Sequence, residues 1–195
     1  GIVMIIVFVA SPKNWHFILM GVLGILMCVV FIATAGYRAD RIRIWLAPEK
    51  YDDGYQTMQS LYAIGSGGFF GRGLGNSIQK MGFIPESHND MIFSVICEEL
   101  GLFGAVLTII MFILLIYRCT VLAINSGDRF GGLIAVGVMA HIAVQILINI
   151  SVVTNTIPPT GVPLPFISYG GSSIFFLLLE MGLMFAVARQ IKPGR

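Results

Sequence analysis

DMIFSVICEELGLFGAVLTIIMFILLIY, residues 90–117, decides the fold. It is long and apolar enough to cross the hydrocarbon core of a bilayer, for which about 20 helical residues suffice. Yet it opens on Asp90 and carries Glu98 and Glu99 within its first turns. The rest of the chain has the same character. Hydrophobic residues make up 56% of it and charged ones 11%, against roughly a quarter charged in soluble domains, and the mean hydropathy is +0.87. Lipid is the expected solvent. A net charge of +2 gives no case for nucleic acid. Cys28, Cys97 and Cys119 are widely spaced in or beside apolar runs, so they form neither a disulfide framework nor a metal cluster and read as small apolar fillers.

Further apolar runs lie at 16–37, 131–153 and 172–188, and the chain opens on GIVMIIVFVA, residues 1–10. That opening is too short to span and lacks the basic region and cleavage site of a signal peptide. It reads as part of a membrane helix. The expected fold is an all-α polytopic membrane protein, one integral membrane domain over 1–195 with about five transmembrane helices. A long external loop, 38–89, is expected to contain short interfacial helices. Short connections carry Lys13, then Arg118 and Arg129, and the tail carries Arg189, Lys192 and Arg195, whereas 155–171 carries no charge. Short basic loops stay in the cytoplasm. The C-terminus is therefore expected to be cytoplasmic, and 38–89 and 155–171 external.

A loop as long as 38–89 inside a compact helical protein usually has a function. It holds GYQTMQSLYAI, 54–64, expected as an interfacial helix with Met58, Leu61, Tyr62 and Ile64 on its apolar side. Glycine-rich GSGGFFGRGLGNS, 65–77, follows. It has two readings: a tightly turning loop, or a cradle of backbone amides for an anion. It lacks the ending and the strand–helix setting of a nucleotide-binding P-loop.

The span at 90–117 should begin near Ser87 to Asp90. An acid there can be an ordinary helix cap. The spacing suggests more: Asp90, Ser94 and Glu98 share one helical face, with Glu98 about 12 Å deeper. Ionisable groups in a spanning helix are costly and face a bundle interior or a watery cavity. This face is expected to line a polar cleft with Asp90 at its mouth. Glu99 and Glu180 read as structural hydrogen-bonding or ion-pairing groups. His141, Gln145 and Asn149 repeat the spacing of four and read as interhelical glue; a polar path for transport is the alternative. TNTIPPTGVPLPFISYGGSS, 154–173, is uncharged and stiffened by four prolines, so it reads as a wall or a shallow re-entrant segment.

Three stretches together resemble the SEDS family, the FtsW/RodA/SpoVE group: GYQTMQSLYAIGSGGFFGRGLGNSIQK (54–80), PESHNDMIFSVICEELG (85–101) and PPTGVPLPFISYGGSS (158–173). They fall in family order and cover about a third of the chain, and GLGNSIQK is more like the FtsW branch. The resemblance implies a peptidoglycan glycosyltransferase that polymerises lipid II outside the bacterial cytoplasmic membrane, working with a class B penicillin-binding protein. It places the family's essential acid at Asp90. Ser87, Asn89 and Met91 stand where Ala, Thr and Phe are usual. The match starts at the family's sixth span, so the chain is expected to be the C-terminal portion of a longer protein and inactive alone.

Glycosyl transfer from a polyprenyl diphosphate needs a base for the acceptor hydroxyl, and one carboxylate suffices. With Asp90 as that base, the expected substrate contacts are Lys80, Glu86, Arg72, Ser94 and Glu98. No cofactor is evident; a divalent cation, Mg or Mn, is an alternative to basic residues for neutralising the diphosphate. A lipid II flippase and a non-enzymatic division scaffold are the competing functions.

Overall fold

The computed structural model describes residues 2–10, 14–34, 36–79 and 89–191. Among them the secondary structure is helical throughout: α1 Ile2–Ala10, α2 Asn14–Thr34, α3 Gly36–Leu46, α4 Tyr55–Ser66, α5 Ile92–Ile124, α6 Arg129–Val153 and α7 Gly171–Gln190. Single 3-10 turns at Pro48–Lys50 and Asp52–Gly54 lie between α3 and α4. Among the described residues three helices, α5, α6 and α7, are long and apolar enough to cross a membrane. An all-α polytopic membrane protein is what the chain forms.

The described chain gathers into two compact units. One comprises Gly1–Gly36, Ile113–Val144 and Phe175–Arg195. Its core holds Cys119, Ala135, Val138, Ala140, Ile142, Leu177, Met184 and Val187, all buried. Thr120 Oγ1 meets Met139 Sδ at 3.0 Å, joining α5 to α6. Asp128 caps α6 by accepting from Gly131 N at 3.1 Å, a carboxylate satisfying an orphan amide at the positive end of the helix. The other unit comprises Tyr37–Phe112 and Gln145–Ile174 and contains the described parts of all three recognisable stretches.

That second unit shows how the long segment before α5 is built. The segment beginning at 38 contains short helices, and α3 occupies its first nine residues, 38–46. Its Ala and Arg content suits a helix, and Pro48 ends it by offering no amide to continue. Helix α4 forms as expected and buries Thr57, Ser60 and Ala63 against the protein. Tyr62 is exposed. Small residues let backbones approach closely in lipid, where apolar contact between helices brings little advantage, and Ser60 Oγ donates to Val153 O at 3.0 Å.

Helix α5 is broken at Gly101, whose φ of 66° and ψ of −162° lie outside helical space. The break frees backbone groups that lipid cannot satisfy. The glycine-rich loop fills it. Arg72 N donates to Glu98 O at 3.0 Å, Gly73 N to Glu99 O at 2.9 Å, and Leu102 N to Gly68 O at 2.8 Å. This approach leaves no room for side chains: a Cβ on Gly67 would run into the Cys97 carbonyl, and one on Gly101 into Gly71 N. Gly101→Ala combines that collision with a left-handed φ. It is expected to cost about 3 kcal/mol, visible as a lower thermal unfolding midpoint in detergent.

Candidate functional site

Asp90 sits in a turn, 89–91, directly before α5, and is half-buried. The expected helix start was slightly early. The turn is held from below by α6. Asn149, fully buried, donates its amide to Asp90 O at 2.7 Å and to Val162 O at 2.8 Å. One turn earlier, Gln145 Nε2 donates to Pro163 O at 3.0 Å. The proline-rich segment is thereby brought to the same place. Gly161, exposed and at φ +67°, lies where a Cβ would come within 4.0 Å of Asp90 Oδ2.

The proline segment is a fixed wall. Leu164 is buried, its amide donates to Ser168 Oγ at 2.7 Å, and Ser168 N returns a bond to Leu164 O at 3.0 Å. Helix α3 braces the near end: Arg41 donates to Pro159 O and Trp45 Nε1 to Asn155 O, each at 3.0 Å. Asn155, at φ 55°, takes the left-handed conformation that commonly follows a helix end.

Below Asp90 the face expected to line a polar cleft is packed against protein. Ser94 and Glu98 are both fully buried. Ser94 Oγ donates to Met91 O at 2.7 Å. The Glu98 carboxylate accepts from Ser77 Oγ, from Ile78 N at 3.1 Å and from Gln79 N at 3.3 Å, with Arg72 Nη1 at 3.7 Å. Glu99 accepts from Gly75 N at 3.0 Å. The two glutamates therefore anchor the glycine-rich loop. Amides at 71, 72, 73, 75, 76, 78 and 79 are all spent on acceptors within the protein, which selects the turning-loop reading over the anion cradle. Arg72 is brought to Glu98, whereas Lys80 and Glu86 lie outside the described residues.

These features can be set beside known proteins. A family model described as cell cycle protein, FTSW_RODA_SPOVE, matches residues 1–193. The chain belongs to this family. It is 42% identical to stage V sporulation protein E of Bacillus subtilis, over 97% of this chain and 52% of that protein. It is 37% identical to a probable peptidoglycan glycosyltransferase FtsW of Trichlorobacter lovleyi, over 98% of this chain and 51% of that one. Among solved structures, it matches a chain from work on structural coordination of polymerization and crosslinking by a peptidoglycan synthase complex. The TM-score there is 0.76 at 28% identity, covering 99% of this chain and 54% of the other. The rod shape determining protein RodA of Thermus thermophilus matches at a TM-score of 0.62 and 26% identity, covering 99% and 48%. The chain spans about half the length of the relatives it matches.

For this FtsW/RodA/SpoVE chain, the sequence alone missed two features of the site. Helix α3 was not foreseen, nor were Arg41 and Trp45 as braces for the wall. The stripe on α6 was legible, but its targets were not: Gln145 and Asn149 reach loop carbonyls rather than another helix. His141 does act between helices, its Nδ1 lying 2.7 and 2.9 Å from the Glu180 carboxylate oxygens. Glu180→Leu is expected to lower stability by about 1 kcal/mol, while Glu180→Gln, which keeps an acceptor for the imidazole, should be close to neutral in the same unfolding measurement.

Proposed function

We infer that a full-length protein carrying this chain is a peptidoglycan glycosyltransferase. It would polymerise lipid II, the undecaprenyl-diphosphate-linked disaccharide-pentapeptide, at the outer face of the bacterial cytoplasmic membrane, beside a class B penicillin-binding protein. One observation carries the reading: a half-open carboxylate, Asp90, sits at the end of a membrane helix on a turn clamped against a rigid wall. The naming of FtsW relatives as probable peptidoglycan glycosyltransferases supports the same reaction class.

The chemistry fits that placement. The lipid tail of the donor stays in the bilayer and its sugars lie at the interface, so the base belongs at a helix end. Asp90 takes the proton of the acceptor hydroxyl. That oxygen attacks the donor anomeric carbon, the bond to the diphosphate breaks, and the configuration inverts. Diphosphate leaves without an acid carboxylate, but the charge growing on it needs a cation. Basic side chains would supply it, with a divalent cation, Mg or Mn, as the alternative. Lys80 is the first candidate, since the Arg72 guanidinium already lies beside Glu98. Glu86 would orient Asp90 or a substrate hydroxyl.

The test is polymerisation of lipid II by the purified full-length protein in vesicles, with the substrate in the accessible leaflet. Glycan polymer is the expected product. Translocation of the lipid without polymer would select the flippase reading instead. Two observations weigh against that reading: Glu98 is enclosed, and the pocket of ≈ 580 Å³ beside the His141–Glu180 pair is otherwise lined by apolar residues and Gly137.

A further inference from the structure

Asn149 is fully buried near the end of α6. A buried amide on an apolar helix is costly unless its groups are matched; its Oδ1 is buried without a hydrogen-bond partner, while its nitrogen meets two carbonyls, Asp90 O and Val162 O. Only the NH2 group can donate to both, so the partners fix which way the amide points. The two carbonyls come from segments far apart in sequence. One carries the candidate base. The other directly follows Gly161, where a Cβ would come within 4.0 Å of that base's Oδ2. Gln145, a turn away, holds Pro163 O, so one face of α6 suspends both segments where they meet.

We propose that Asn149 is a positioning residue for the transfer, an inference that rests on Asp90 being the base. Its amide sets the Asp90 turn against the 161–163 wall, and this aims the carboxylate at the acceptor hydroxyl. Asn149 touches no substrate. Loss of its two hydrogen bonds removes the tie between turn and wall and lets them drift apart. A drift of about 1 Å at a reacting group costs on the order of 10²-fold in rate.

The experiment uses the full-length protein and measures polymerisation rate against lipid II concentration. Asn149→Leu keeps the side chain's shape and removes both donors. It is expected to lower kcat about 10- to 100-fold with KM changed less than about twofold. Asn149→Gln, which keeps the amide one methylene farther out, should recover part of that rate. Thermal unfolding of each variant separates misplacement from misfolding. If Asn149→Leu fails to accumulate, Asn149→Ser, which fits the site and keeps one donor, carries the same comparison and is expected to lower kcat with KM unchanged. A stable variant with wild-type kcat, or with a change confined to KM, overturns the proposal. Asp90→Asn as a parallel control keeps the two ideas apart. Its full activity would sink the base assignment, whereas an inactive Asp90→Asn beside a normal Asn149→Leu would sink only the positioning role.

Discussion

Asp90→Asn in the full-length protein is expected to fold, insert and polymerise lipid II about 10² to 10⁴-fold more slowly, the span attributed to a general base. The substitution is close to isosteric, and the backbone carbonyl that Asn149 holds is unchanged. Unfolding midpoint and membrane yield should therefore match wild type while polymer disappears from the gel. Near-normal polymer from that variant would refute the base assignment. Cells that depend on this protein should fail to grow with it, whereas a non-enzymatic scaffold would still support growth. Both outcomes follow from one atom pair at one helix end, which makes this the most decisive substitution in the chain.

Glu98→Leu should have the largest effect on stability. The carboxylate is fully buried and serves Ser77 Oγ, two backbone amides and, at 3.7 Å, the Arg72 guanidinium. Taking away one partner of a buried charged network leaves the others uncompensated, at about 3–5 kcal/mol. Net stabilities run to about 5–15 kcal/mol, so the variant is expected to accumulate poorly and to melt far below wild type. Glu98→Gln keeps one acceptor oxygen and should fall between the two. The pair also tests the role first expected for this residue. If Glu98 contacts substrate, Glu98→Gln will lose kcat/KM at full stability. If it anchors the loop, activity per folded molecule will persist while stability drops.

Legibility varied with the range of the interaction. The apolar runs announced the helices, because a stretch of about 20 apolar residues has few alternatives to spanning lipid. Asp90 was legible as an acid at a helix start. The role of Glu98 was not. Helical spacing placed it on the Asp90 face, but whether that face meets water or protein depends on where the glycine-rich loop goes, and that loop lies some twenty residues upstream. Gly101 looked like one glycine among many. It becomes the break in α5 only when the loop's amides come to meet the freed carbonyls. Helix α3 went unread because its polar, arginine-rich sequence has no apolar period, and its support comes from contacts with the 155–159 segment.

By itself, then, the amino-acid order settled the membrane setting, the helical class, the family and an acid at the mouth of α5, since burial in lipid and local turn chemistry act over a few neighbouring residues. Only the tertiary structure decided which polar groups face outward and which are consumed holding the protein together. That division follows from physical necessity: in a medium without water, every buried donor must find an acceptor, and the partners available are fixed by chain segments that no local pattern brings together.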